Sequence, residues 1–195
     1  IFVLDAAIAT VDAAAARANG DAAGAMRRQS AALTALRIDS HEKAGVLYPL
    51  QTISRDVKLD LTTAPILIEA TDSKHLKLLA ELSARISEDI QVVTSEDRET
   101  LHMAAVMVNN FTNHLVVTAK LILEEKGIDW KLLLPLLNET SKKLMNTDPE
   151  LAQTGPAKRG DLKTIERHLA NLTESDQILY KLFSERIAEQ KTKIP

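Results

Sequence analysis

The chain has no cysteine, which excludes disulfide frameworks, thiolate metal sites and cysteine nucleophiles and suits a reducing cytoplasm. Aromatic residues make up only 3%, and the net charge of −3 offers no bulk attraction to phosphate or to anionic lipid. Neither nucleic acid nor a membrane is therefore expected as a partner. No run approaches the roughly 18 uninterrupted apolar residues of a membrane span. The opening Ile1–Leu4 is stopped by Asp5 and has no basic flank, so it does not read as a signal peptide. Gly-x-Ser-x-Gly, His-Glu-x-x-His and Walker-loop patterns are all missing, which leaves hydrolase and kinase chemistry without a footing. What is present is 195 residues at 45% hydrophobic and 26% charged, enough for one good core or two small ones.

The start of the chain reads like the interior of a domain. It opens without Met, on an apolar strand-like Ile1–Leu4, so an N-terminal piece is expected to precede it. Ala6–Ala18 and Met26–Leu36 have helical composition with few large apolar anchors. From Gly45 the pattern sharpens. Gly45–Pro49 is an apolar run ended by proline, Pro65–Ala70 a second strand, Ser73–Ile86 an amphipathic helix and Asp89–Thr94 a third strand, which together predict a βαβ unit. Beyond Ser95 the pattern is helical at about 96–126, 129–146, 161–173 and 175–190. Ser95 is expected to cap the first of these helices, Gly127 to close it, Asp129 and Asp161 to cap later ones, and Pro135 to kink the second. The fold class is therefore an incomplete α/β portion over residues 1–94 followed by an all-α portion over 95–195.

Three groups could carry chemistry. On the long helix, Leu101, Met103, Val108, Phe111, Leu115, Leu121 and Ile122 predict a buried, central element. At about 100° per residue, His102, Asn109 and Asn113 fall on one line, a polar seam that needs hydrogen-bond partners, with Asn110 and His114 further round. Such a seam can face a ligand or tie helices together. Thr154, Lys158 and Arg159 lie in a loop with two glycines ahead of a helix, which can grip an anion or simply turn the chain. Tyr48, Pro49, Gln51 and Thr52 end a strand, where open α/β sheets place their ligands. His41, His75 and His168 lack metal-ligand spacing and read as surface, and Glu69 is a lone strand-end acid.

Gly45-Val-Leu-Tyr-Pro-Leu-Gln-Thr52, Ile68-Glu-Ala70, Leu101-His-x-Ala-Ala-Val106, Asn109-Asn-Phe-Thr-Asn-His-Leu115, Glu139-Thr140, Gln153-Thr-Gly-Pro-Ala157 and Arg159-Gly-Asp161 occur in one order. Together, from about Lys43 to Glu189, they resemble the Rossmann-like family whose helical part is known as domain of unknown function 2520. That family is similar to the 6-phosphogluconate dehydrogenase group and to F420-dependent NADP oxidoreductases. The resemblance implies a nucleotide-binding half, a helical half that forms a homodimer, and hydride transfer in a cleft between them. It implies NADP or NAD as cofactor and a small, anionic substrate. On that reading Tyr48, Pro49, Gln51 and Thr52 line the nicotinamide side, and His102, Asn109 and Asn113 polarise the reacting group. Thr154, Lys158 and Arg159 then hold the substrate.

The departures weigh against a complete enzyme. Gly-x-Gly-x-x-Gly is absent, and Arg27-Arg28-Gln29-Ser30-Ala31 stands where the family has His-Thr-Ser-Gly. The group's catalytic lysine has no counterpart in the seam, and Lys120 lies two turns beyond it, so a proton donor is missing unless His102 serves. The alternative is a non-catalytic dimerisation or ligand-sensing module on the same scaffold. A purely structural helical protein ranks behind both, because it leaves the seam unexplained.

Overall fold

The computed structural model describes residues 44–52 and 60–191, so the expectations placed on residues 1–43 lie outside the described residues. The chain divides into two compact units that meet in sequence between Thr112 and Asn113.

The first unit holds a three-stranded sheet in the order β1 (Gly45–Pro49), β2 (Ile66–Ala70), β3 (Ile90–Val92). β2 and β3 are parallel and joined through helix α1 (Ser73–Ser83), the βαβ unit that the alternation of patterns predicts. β1 runs antiparallel to β2, an orientation that its apolar run does not specify. Side chains alternate across each strand. Ile66 and Ile68 therefore turn to one face with Leu79 of α1, while Val46, Tyr48, Ala44 and Leu67 cluster separately. Val46, Ile66 and Ile68 are fully buried, so this sheet is the apolar core of the unit.

Helix α2 (Ser95–Ala105) follows β3 and leads through a π-helical turn, Val106–Phe111, into α3 (Thr112–Glu124). Two expectations change here. The cap is Thr94 rather than Ser95: its side chain accepts from the Asp97 backbone N–H while Asp97 accepts from the Thr94 backbone, a reciprocal capping box. Ser95 is the first helical residue instead, and its side chain is occupied elsewhere. Nor is the long helix buried within one chain, since Met103, Val108 and Phe111 are exposed by 61%, 75% and 53%.

The second unit is helical. Gly127, at φ +67°, ends α3 as expected, because a left-handed residue there is cheapest as glycine. Asp129 then caps a 3₁₀ turn, Trp130–Leu133, which runs into α4 (Leu134–Asn146). Pro135 consequently lies in the first turn of α4, where its missing N–H costs nothing, and it starts a helix rather than kinking one. α5 (Pro149–Ala152) and α6 (Pro156–Arg159) are single turns, followed by α7 (Leu162–Leu169), capped by Asp161, and α8 (Glu174–Lys191). Among the described residues of this unit, Ala157 alone is buried.

Three carboxylates at helix starts, the caps Asp72 and Asp161 and the capping-box Asp97, predict a shared acid sensitivity. Asp72 is held below the ordinary carboxylate range chiefly by the His75 backbone N–H, Asp97 by its bonds with Thr94, and Asp161 by its bonds with Thr164. A depressed folded-state pKa adds stability that is complete above the unfolded value of about 3.9 and is lost as pH falls through the folded values. Thermal midpoints measured from neutral pH downward are expected to drop below about pH 4. The drop should be shallower in the triple Asn variant, since Asn caps without titrating. An identical acid slope in that variant would remove these carboxylates as the cause.

Candidate functional site

Tyr48 and His102 come from groups that the sequence assigns to different roles, 54 residues apart, and the first unit brings them together. The Tyr48 hydroxyl lies 2.8 Å from His102 Nδ1, with the rings edge to face at 78°. Tyr48 is only 4% exposed and belongs to the apolar cluster of the sheet, so the phenol is fixed, whereas His102 is half-buried and reachable. A phenol hydroxyl both donates and accepts. It can therefore donate to Nδ1 of neutral imidazole, or accept from Nδ1–H of imidazolium, and leave Nε2 as the nitrogen that exchanges a proton.

Four residues before His102 on α2, Arg98 makes an ion pair that the sequence pattern does not single out. Arg98 is wholly buried and its guanidinium is paired with the carboxylate of Glu69, which is 14% exposed. Ser95 adds two donors to the same carboxylate, its backbone N–H at 2.8 Å and its hydroxyl at 2.9 Å. The signal was present in the pattern. A carboxylate in the apolar stretch Pro65–Ala70 has to find a cation or several donors when it is drawn into the fold.

Other expected residues do not join this constellation. Gln51 and Thr52 are exposed, with the Gln51 side chain accepting from the Thr52 backbone, and Pro49 ends β1. Asn109 lies within the π-helical turn and is exposed; Asn113 is exposed in the first turn of α3. The i→i+5 turn takes up an extra residue, so extrapolating at 100° per residue from His102 no longer holds at Asn109 and Asn113. Such turns recur at functional positions of helices.

In the second unit, Thr154 is exposed and Lys158 and Arg159 lie on the single turn α6, bracketed by Gly155 (φ +107°) and Gly160 (φ +75°). A side chain at either position would be strained, so both glycines are required by the turn. Thr154 helps to line a cavity of about 260 Å³ whose wall includes Leu115, Ile122, Pro156, Leu179 and Phe183. His168, expected to be bare surface, lies 2.7 Å from the Tyr180 hydroxyl through Nδ1, so both tyrosines of the chain are bonded to an imidazole. Among the described residues, no cluster of three metal-ligating side chains occurs, and no helix is long and apolar enough to cross a membrane.

Residues 64–187 match the model of the family described as a domain of unknown function, DUF2520. The chain belongs to that family. Among solved structures, this DUF2520 protein is similar to one from Bacteroides fragilis described as a "putative NADP oxidoreductase", at 34% identity and a TM-score of 0.75 over 80% of the chain. A protein from Thermotoga maritima shares the fold, at 23% identity and a TM-score of 0.63 over 76% of the chain. The chain spans 62% of the length of each. No curated protein matches it. The short sheet followed by a mostly helical region is thus an incomplete Rossmann-like portion with a DUF2520 helical part.

Proposed function

We propose that this chain supplies the substrate side and the subunit contacts of an NAD(P)-dependent oxidoreductase, with His102 as the proton-transfer group. The observation that carries the reading is the hydrogen bond between the Tyr48 hydroxyl and His102 Nδ1, on a scaffold similar to that of the Bacteroides fragilis protein. Residues 1–94 belong to the nucleotide-binding part and 95–195 to the dimer and substrate part. The fit to a dinucleotide is partial. The glycine fingerprint that cradles a pyrophosphate is absent from the 195 residues, and the positive-φ glycines of the described residues are Gly127, Gly155 and Gly160, all in the helical unit. A bound nicotinamide supplies or accepts a hydride.

The chemistry left to the chain is proton management and orientation. In the reducing direction, imidazolium gives its Nε2 proton to the substrate oxygen or nitrogen, and the neutral ring keeps Nδ1–H on the Tyr48 oxygen. The reverse direction returns the proton to Nε2. Asn109 and Asn113 are candidates to polarise a carbonyl or imine, Tyr48, Pro49, Gln51 and Thr52 to border the nicotinamide side, and Thr154, Lys158 and Arg159 to hold an anionic substrate. A homodimer through the helical part fits the apolar exposure of that unit, and a cytoplasmic location fits the absence of cysteine.

The test is to titrate NADPH into the protein by nicotinamide fluorescence and then to offer small keto and imino acids. His102→Ala should lower turnover by about 10²- to 10⁴-fold, the range of a lost general acid, with NADPH affinity little changed. Binding without turnover of any such compound would favour the second reading, a ligand-sensing or dimerisation module. That reading has its own support in the missing fingerprint and the unmatched lysine.

A further inference from the structure

Helices ordinarily seat on a sheet through apolar side chains, yet the only buried residues of α2 are Ser95 and Arg98. Apolar contact is non-directional and tolerates sliding; a carboxylate that receives a guanidinium, a hydroxyl and a backbone N–H does not. The seat of α2 is therefore a polar one, built on Glu69. Its geometry leads directly to His102. Glu69 pairs with Val46 across the sheet and Tyr48 with Leu67, so Glu69 and Tyr48 share one face of the sheet and are offset by two residues of strand. Two residues of strand advance about 6.7 Å, and one turn of helix from Arg98 to His102 advances about 6 Å. Arg98 and His102 are i and i+4, so both point to the same side of α2. When Arg98 is seated on Glu69, His102 arrives over Tyr48.

We infer that Glu69, Ser95 and Arg98 are positioning residues for His102: the polar seat fixes the axial and rotational setting of α2, so that Nδ1 meets the Tyr48 hydroxyl and Nε2 is aimed outward. The catalytic part of this inference rests on the proposed role of His102; the structural coupling does not. The Ser95 N–H fixes the start of the helix, the Arg98 fork fixes its rotation, and the phenol fixes the remaining torsions of the imidazole. Arg98 and Glu69 carry opposite charges, so the seat orients His102 without placing a net charge one turn away.

The experiment follows the ring nitrogens of His102 by ¹⁵N NMR of the histidine-labelled protein. Tyr48→Phe defines the signal of an unbonded Nδ1. Arg98→Lys, which keeps the charge and loses the fork, and Glu69→Gln are expected to move Nδ1 toward that value although both leave its hydrogen-bond partner, Tyr48, in place. Leu79→Ala destabilises the same unit from the α1 side and should leave Nδ1 where it is in the wild type. If either seat variant fails to fold, Ser95→Ala, which removes only the hydroxyl donor, decides by the same signal. An unchanged Nδ1 in the folded seat variants, or an equal shift in Leu79→Ala, overturns the inference. These readouts stand whether or not the wild type turns over. If it does, Arg98→Lys should cut kcat by about 10- to 100-fold and leave the KM for NADPH within about twofold. A wild type without turnover, with the Nδ1 shifts as expected, removes the oxidoreductase reading and keeps the seat.

Discussion

Arg98→Ala is expected to destabilise the first unit by about 3–5 kcal/mol. The reason is what it leaves behind. The Glu69 carboxylate, 14% exposed, would keep the Ser95 donors and lose its counter-charge, and the space of a wholly buried guanidinium would stand open. An exposed pair gives the scale for comparison. Lys120 and Glu124, 39% and 47% exposed at i and i+4, should cost well under about 1 kcal/mol when broken. Urea denaturation of both variants measures the contrast, and a loss below about 1 kcal/mol in Arg98→Ala would show that the pair is far more solvated than its burial indicates. A double replacement, Glu69→Leu with Arg98→Met, should recover most of the stability, because buried ion pairs are often no more stabilising than apolar pairs of similar volume. It should not recover the His102–Tyr48 bond, since the apolar pair removes directionality while filling the space.

The wild-type protein is expected to have twice the 21.4 kDa chain mass in light scattering at micromolar concentration. The helical unit cannot satisfy its own apolar surface. Leu132, Leu136, Met145, Leu162 and Ile178 are each more than 60% exposed. Monomeric soluble proteins rarely leave so many large apolar side chains this far in water, and a second copy offers the same side chains in return. Leu121→Glu with Ile178→Glu, at positions 54% and 70% exposed, should give the mass of one chain and retain helical circular dichroism. These side chains carry little of the internal packing, so losing the dimer and losing the fold are separable. A single-chain mass for the wild type would count heavily against the dimer.

Local chemistry made much of this fold legible, and distance in sequence hid the rest. The strand Gly45–Pro49 was readable to the residue because its apolar run ends in a proline, and Gly127, Asp129 and Asp161 act where short-range capping rules place them. Thr94 and Ser95 can both cap by their own chemistry, and serine is the better cap of the two. The choice between them is made by Glu69, 26 residues away, which takes the Ser95 hydroxyl for itself. Pro135 was misread as a kink because the break ahead of it, the 3₁₀ turn, has no strong signature of its own. The π-helical turn had no signal in a periodicity argument that assumes 3.6 residues throughout. For the candidate site, the sequence offered Tyr48 and His102 separately. Their meeting depends on the strand register and on Arg98, neither of which any window of neighbouring residues contains.

The scarcity of aromatic residues gives the two units separate optical addresses. Trp130, the only indole in the chain, opens the 3₁₀ turn of the helical unit, so tryptophan emission originates in that unit. The phenols divide evenly, Tyr48 in the sheet unit and Tyr180 in α8. Unfolding followed through the indole and through the His102–Tyr48 resonances therefore compares the two units within one molecule, with no label and no dissection of the chain. Coincident transitions mean that they melt as one cooperative body; displaced transitions mean that each holds its own fold.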